Sequence, residues 1–273
     1  MSKKKFIDIE KLIESKNPKL LRWLPKFVLN YLKRVLHEKE MNEFLLKNHE
    51  KKNEAFCDEV MRYLNLEVIV HGIENIPKDG PVILAMNHPL GGIDGIASIA
   101  AMTKYRKDIK FIVNDILMNL DNLSEMFVGV NKHGKNKGSV RSQINSAFSS
   151  EEVLCIFPAG LVSRKIDGEV IDLEWKKTFM TYARSLKRTV IPVYIDGKLS
   201  PFFYRLHRFR TFFRIKTNIE MLYLADEMYK QQNQKIHFYI GKPIEGETFH
   251  PELNDHKAAQ EVKKQVYSIK SNL

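Results

Sequence analysis

From Leu66 onward, short runs rich in branched and aromatic residues alternate with stretches of helical spacing. The runs are LEVIVHG, PVILAMN, KFIVND, EVLCIFP, TVIPVYID, IEMLYLA and KIHFYIG. Several are apolar at consecutive positions, the pattern of strands covered on both faces. Helical patterns fill 94–106, 138–150 and 172–187 between them. This alternation predicts an α/β fold whose largely parallel or mixed sheet is flanked by helices. The first 65 residues read differently, with few glycines and with Pro18 and Pro25 as breaks. In KFVLNYLKRVLHEKEMNEFLL, one helical face collects Phe27, Tyr31 or Leu32, Val35 and Leu36. The expected organisation is a helical region over 1–65 followed by one α/β domain over 66–273.

Composition narrows the partners. The 273 residues are 44% hydrophobic and 28% charged, as in ordinary globular proteins. Two scattered cysteines exclude a disulfide framework or a cysteine metal knuckle, and the histidines lack metal-ligand spacing. No metal and no bound cofactor are expected. A formal charge of +11 favours an acidic partner: nucleic acid, an anionic membrane surface or an acidic carrier protein. The stretch around 27–36 suits either a helix packed on its own domain or one lying in a membrane interface. SPFFYRLHRFRTFFRIK poses the same question, with Phe202, Leu206, Phe209 and Phe213 on one face and Arg205, Arg208 and Arg210 beside it. Membrane contact, core packing with snorkelling arginines, and stacking on a single-stranded nucleic acid all fit, in that order of preference. The lysine-rich start has no apolar core of a signal peptide, and no window approaches ~20 uninterrupted apolar residues. The expected location is the cytoplasmic face of a membrane, held peripherally.

The candidate chemistry starts in VILAMNHPLGGIDGIASIAAM. A buried strand breaks at Asn87-His88, crosses a proline and two glycines, and passes Asp94 into a small-residue helix. An imidazole suits proton removal from a hydroxyl, and works better when a carboxylate fixes its tautomer. Gly91 and Gly92 let the chain fold back so that Asp94 approaches His88. A helix-capping Asp94 beside an ordinary turn histidine fits the same residues. Two further strand ends carry unusual chemistry: CIFPAGLVSRK and MFVGVNKHGKNKG. Arg164 offers a bidentate fork to an anion, Ser163 a further donor and Lys132 a cation at the start of a basic loop, or all three belong to ordinary solvated turns and a basic loop. No Gly-x-Ser-x-Gly elbow occurs, and Cys155 sits in an apolar run, so a covalent hydrolase is not expected.

Taken in order, NHPLGGID, VGVNK, FPAGLVSR and VIPVYIDG resemble the four motif blocks of the glycerolphosphate acyltransferase superfamily, which includes the lysophosphatidic acid acyltransferases. The resemblance runs from Val82 to Gly197. It implies transfer of a fatty acyl group from acyl carrier protein or coenzyme A to a lipid acceptor, without an acyl-enzyme. It makes His88 the general base and Asp94 its orienting partner, and it places Lys132, Phe157, Pro158, Gly160, Ser163 and Arg164 at the substrate. The first block has five residues between His and Asp where the family usually has four. Ala159 stands where a glutamate is usual, and Lys132 where an arginine is common. These forms resemble the haemolysin-like bacterial branch, which includes O-acyltransferases of ornithine and glycine lipids. A mono-acylated amino-acid lipid is therefore the expected acceptor. Lysophosphatidic acid is the alternative, and a basic non-enzymatic protein binding membrane or nucleic acid is the alternative of another class.

Overall fold

The computed structural model describes residues 5–114, 117–130 and 137–271. Four helices open the chain: α1 (Ile9–Lys16), α2 (Pro18–Trp23), α3 (Lys26–Val35) and α4 (Glu38–Asn48). Next come α5 (Asn53–Tyr63), β1 (Glu67–His71), β2 (Val82–Met86), α6 (Gly92–Met102), β3 (Ile109–Asn114), β4 (Phe127–Val130) and α7 (Lys137–Phe148). The remainder is β5 (Val153–Ile156), β6 (Arg164–Ile166), β7 (Glu169–Ile171), α8 (Thr178–Ser185), β8 (Thr189–Asp196), α9 (Pro201–Phe212), α10 (Leu224–Lys230), β9 (Lys235–Ile240), β10 (Ile244–Glu245) and α11 (Asp255–Ser271). They form two compact units, each drawn from two separate stretches of the chain. One comprises Lys52–Lys198 with Asn233–Leu273, the other the chain up to Lys51 with Leu199–Gln232. The first helical segment shares its unit with the excursion between β8 and β9, whereas α5 packs on α6 in the sheet unit.

The sheet runs β1-β9-β8-β2-β5-β3-β4, with β10 beside β8. Pairing is parallel except where β9 and β10 meet β8. β2 lies at the centre, with Leu84 opposite Cys155 of β5 and Ile191 of β8. All five of its residues are buried, as the continuous apolar run requires of a strand covered on both faces. Ile83, Ala85, Leu154, Ile156 and Val190 join one apolar cluster with Phe179 and Met180 of α8 and Val262 and Val266 of α11. At the amino end of β2, the buried Arg188 guanidinium gathers carbonyls: Phe148 at 2.7 Å, Ser150 at 2.5 Å, Val82 at 3.3 Å, and that of Glu152. One side chain thus satisfies main-chain acceptors at the starts of β2 and β5.

IEMLYLA, read above as a strand, is a 3-10 turn over Ile219–Tyr223 running into α10. Glu220 within it and Glu227 two residues beyond it explain the difference. Glu220 is fully buried and accepts from Arg210 Nε at 2.9 Å, with His207 Nδ1 at 3.1 Å. Glu227, also buried, accepts from Ser200 N at 2.6 Å, Ser200 Oγ at 2.5 Å and Lys230 Nζ at 2.8 Å. A helical turn brings both carboxylates inward, seven positions apart, which a strand could not do on one face. In 202–214, Phe203 and Tyr204 are buried and Arg210 is held by Glu220, while Phe209, Phe212 and Phe213 are exposed. Glu220→Ala leaves Arg210 without its buried counter-charge and should cost about 3–5 kcal/mol. Urea unfolding of the variant should show a lowered midpoint, and an unchanged midpoint would mean that the ion pair adds no net stability.

Candidate active site

Because β2, β5 and β8 run parallel, their carboxyl ends share one edge, where loops carry ligand sites in folds of this class. The first residue past β2 extends the ladder with its side chain. Asn87, 2% exposed, donates through Nδ2 to the Ile195 carbonyl at 2.9 Å, and the Ile195 amide donates to its Oδ1 at 2.6 Å. His88 follows, its main chain held at both ends. Its N–H donates to Asp172 Oδ1 at 3.1 Å, and its carbonyl accepts from the Ser163 amide at 2.8 Å. The chain then reverses through Gly91, whose φ of 72° favours glycine, and α6 begins at Gly92.

Asp94 therefore sits in the first turn of α6 rather than before it, and the cap position is Gly91. One carboxylate oxygen does two things. Asp94 Oδ2 accepts from His88 Nδ1 and from the Leu90 amide, each at 2.8 Å. The turn absorbs the fifth intervening residue without losing the His–Asp bond. Asp94 has no solvent exposure, and its Oδ1 lacks a hydrogen-bond partner. Burial pushes its carboxyl up. The bond to His88, the His88 charge and the Leu90 amide pull it back, and the neighbouring Asp172 pushes it up again. The His88 side chain stays 18% exposed and stacks on Phe157, ring centroids 4.3 Å apart. With Nδ1 committed to Asp94, Nε2 is the ring atom left to take a proton.

The other blocks meet this turn from two sides. Pro158 and Ala159 are buried, and the Gly160 amide closes the turn on the Phe157 carbonyl at 2.9 Å. Ala159 belongs to the apolar cluster that contains Trp175 and Phe179. Ser163 is fully buried, its hydroxyl donating to Asp172 Oδ1 at 2.5 Å. The Arg164 guanidinium is buried as well and donates to the Val162 carbonyl. Gly197, at the end of the fourth block, lies against Leu90 so closely that a Cβ would come within 2.8 Å of the leucine side chain. Lys132 lies outside the described residues. The sequence reading passed over Asp172 and gave Asn87 no role. Asn87 opens the first block but carries no titratable group, and Asp172 lies outside the four blocks; Asn87 acts through Ile195 and Asp172 through His88, both distant in sequence.

A model of the acyltransferase family matches residues 11–273. The chain belongs to the acyltransferase family. A lyso-glycine lipid O-acyltransferase of Bacteroides thetaiotaomicron is 41% identical over 264 residues, spanning 96% of this chain and 97% of that protein. The protein of the same name from Phocaeicola vulgatus is 40% identical, spanning 96% and 95%. Among solved structures, the 1-acyl-sn-glycerophosphate acyltransferase PlsC from Thermotoga maritima has a TM-score of 0.50 at 19% identity, covering 90% of this chain and 97% of that one. At that identity the likeness is one of fold.

In this acyltransferase the raised Asp94 carboxyl has a consequence for stability. The folded chain keeps that proton to a higher pH than the unfolded chain. Between the unfolded value, about 3.9, and the folded one, the unfolded state binds fewer protons, so stability falls as pH rises through that window. Asp94→Asn buries no charge, and its amide takes the place where Oδ1 lies without a partner. We expect a higher melting temperature than wild type at neutral pH, together with turnover lowered by about 10²–10⁴-fold. A lower melting temperature for the variant would mean that the carboxylate stabilises the fold.

Proposed function

We propose that the chain moves a fatty acyl group from a thioester of acyl carrier protein or coenzyme A to the hydroxyl of a mono-acylated amino-acid lipid of the lyso-glycine type. The observation that carries this reading is the 2.8 Å bond between His88 Nδ1 and the buried Asp94 carboxylate, in a chain 41% identical to a lyso-glycine lipid O-acyltransferase. His88 Nε2 takes the acceptor's hydroxyl proton as the oxygen attacks the thioester carbonyl. The carbon–sulfur bond breaks, and the departing thiolate takes that proton from the imidazolium. Asp94 holds the tautomer throughout. Phe157 orients the imidazole by stacking, and Pro158 and Gly160 shape the turn beside it. Arg164 and Lys132 are assigned to an anionic head group, whereas Ser163, buried with its hydroxyl on Asp172, is not. Ala159 supports an acceptor other than a glycerol phosphate: its methyl packs in an apolar cluster where the family usually carries a carboxylate.

A side-by-side assay on a lyso-glycine lipid, a lyso-ornithine lipid and lysophosphatidic acid tests the reading. Turnover should be greatest on an amino-acid lipid and fall by about 10²–10⁴-fold in His88→Ala. Turnover of lysophosphatidic acid alone would restore the phospholipid reading.

Such an acceptor resides in a bilayer, and among the described residues no helix is long and apolar enough to cross one. We propose peripheral docking on an anionic membrane surface, with no role for nucleic acid. The unit containing α1–α4 and α9 exposes Trp23 by 84%, Phe27 by 74% and Phe212 by 80%, with Arg205 and Arg208 exposed on α9. Basic residues near an anionic surface contribute about 1 kcal/mol each. Arg205→Glu with Arg208→Glu should weaken vesicle binding at least about tenfold at an unchanged melting temperature. Arg210 is left in place because it holds Glu220. Equal binding of wild type and the double variant to anionic vesicles would overturn the docking reading.

A further inference from the structure

Asp172 is a second buried carboxylate behind the histidine, and no part of the acyl-transfer scheme uses it. It follows β7 directly and is 1% exposed. Oδ1 accepts from two donors, the His88 main-chain N–H at 3.1 Å and the Ser163 hydroxyl at 2.5 Å. Oδ2 accepts from the Trp175 indole at 2.8 Å. Its main chain is held too: the Asp172 amide donates to Tyr267 Oη at 2.7 Å, and its carbonyl accepts from Lys263 Nζ at 2.5 Å. Burial pushes the Tyr267 phenol up, so it stays a neutral hydroxyl.

These bonds close a ring. The His88 N–H reaches Asp172, Asp172 takes the Ser163 hydroxyl, and the Ser163 N–H returns to the His88 carbonyl at 2.8 Å. Asp94 fixes the imidazole from the ring side, while Asp172 and Ser163 fix the peptide that carries it. An ordinary core contact would not need this chemistry, since nothing apolar is gained by burying a carboxylate against three donors. The partner count is what matters: a carboxylate is the side chain that can accept from a main-chain N–H, a hydroxyl and an indole at once.

We infer that Asp172, together with Ser163, is a positioning residue for His88, holding the peptide of the base so that Nε2 meets the acceptor hydroxyl. This rests on the reading of His88 as the base. The expected signature is loss of kcat without loss of binding, because neither side chain touches substrate in this role.

In Asp172→Asn the amide replaces one acceptor by a donor, so either His88 and Ser163 or Trp175 loses its bond. Misplacing a catalytic group by about 1 Å costs about 10²-fold. We expect kcat lowered by about 10–10²-fold with the KM of donor and acceptor within about twofold, and Ser163→Ala lowered by about tenfold. The double variant should be no worse than Asp172→Asn, since both residues act through one ring. The downfield Nδ1–H resonance of His88, absent in His88→Ala, should broaden or move in Asp172→Asn without any substrate present. A kcat within twofold of wild type in folded Asp172→Asn, a loss confined to KM, or an unmoved resonance overturns the inference. Should Asp172→Asn fail to fold, Ser163→Ala decides by the same two readouts. If wild type and His88→Ala are equally inactive on every acceptor, the acyl-transfer reading fails, and the resonance alone decides the role of Asp172.

Discussion

A strand that ends inside a core leaves main-chain donors and acceptors that water cannot reach, and whatever follows must satisfy them. β2 ends so at Met86, fully buried between two parallel neighbours. Side chains and a neighbouring loop take up the task residue by residue. Asn87 makes one more rung with Ile195, Asp172 and Ser163 take both polar groups of His88, and Asp94 takes the Leu90 amide. The site is the solution to that accounting problem. The two carboxylates proposed to orient the base are the same groups that satisfy the main chain where the strand stops.

The two aspartates divide the work by what they face. Asp94 lies against the ring with one oxygen unpartnered; burial raises its carboxyl, and the bond to His88 draws it back down. Asp172 has its oxygens occupied by three donors and lies against the backbone. A fully satisfied carboxylate makes a rigid anchor, and a partly satisfied one responds to the charge on its neighbour. The stack of Phe157 on His88 adds an apolar wall that limits water at the imidazole face.

The fold class was legible because strands buried on both faces are written as unbroken apolar runs. VILAM, VLCI and TVIPVYID became β2, β5 and β8. His88 and Asp94 were legible because a histidine and an aspartate flanked a glycine turn at a strand end. IEMLYLA was misread because its apolar residues outweighed Glu220 and left out Glu227 just beyond it, and burial of Glu220 depends on Arg210 and His207. The division at residue 65 was drawn from local texture, whereas the compact units depend on which distant segment α1–α4 packs with. Asp172 stayed hidden for a related reason: its partners lie 84, 9 and 3 positions away, and no spacing rule links them.

The unit built from both ends of a long interval has a consequence for how the protein is made. Tyr31 bonds Tyr223 at 2.8 Å, and His37 bonds Asp226 at 3.2 Å and stacks on Tyr229. Ribosomes add about 5–20 residues per second, so the first helices emerge about 10–30 s before their partners in 199–232 exist. Throughout that interval the nascent chain carries Trp23 and Phe27 with the rest of its unit, 199–232, unmade. Translation therefore presents an aromatic, basic segment to the cell before it presents an active site.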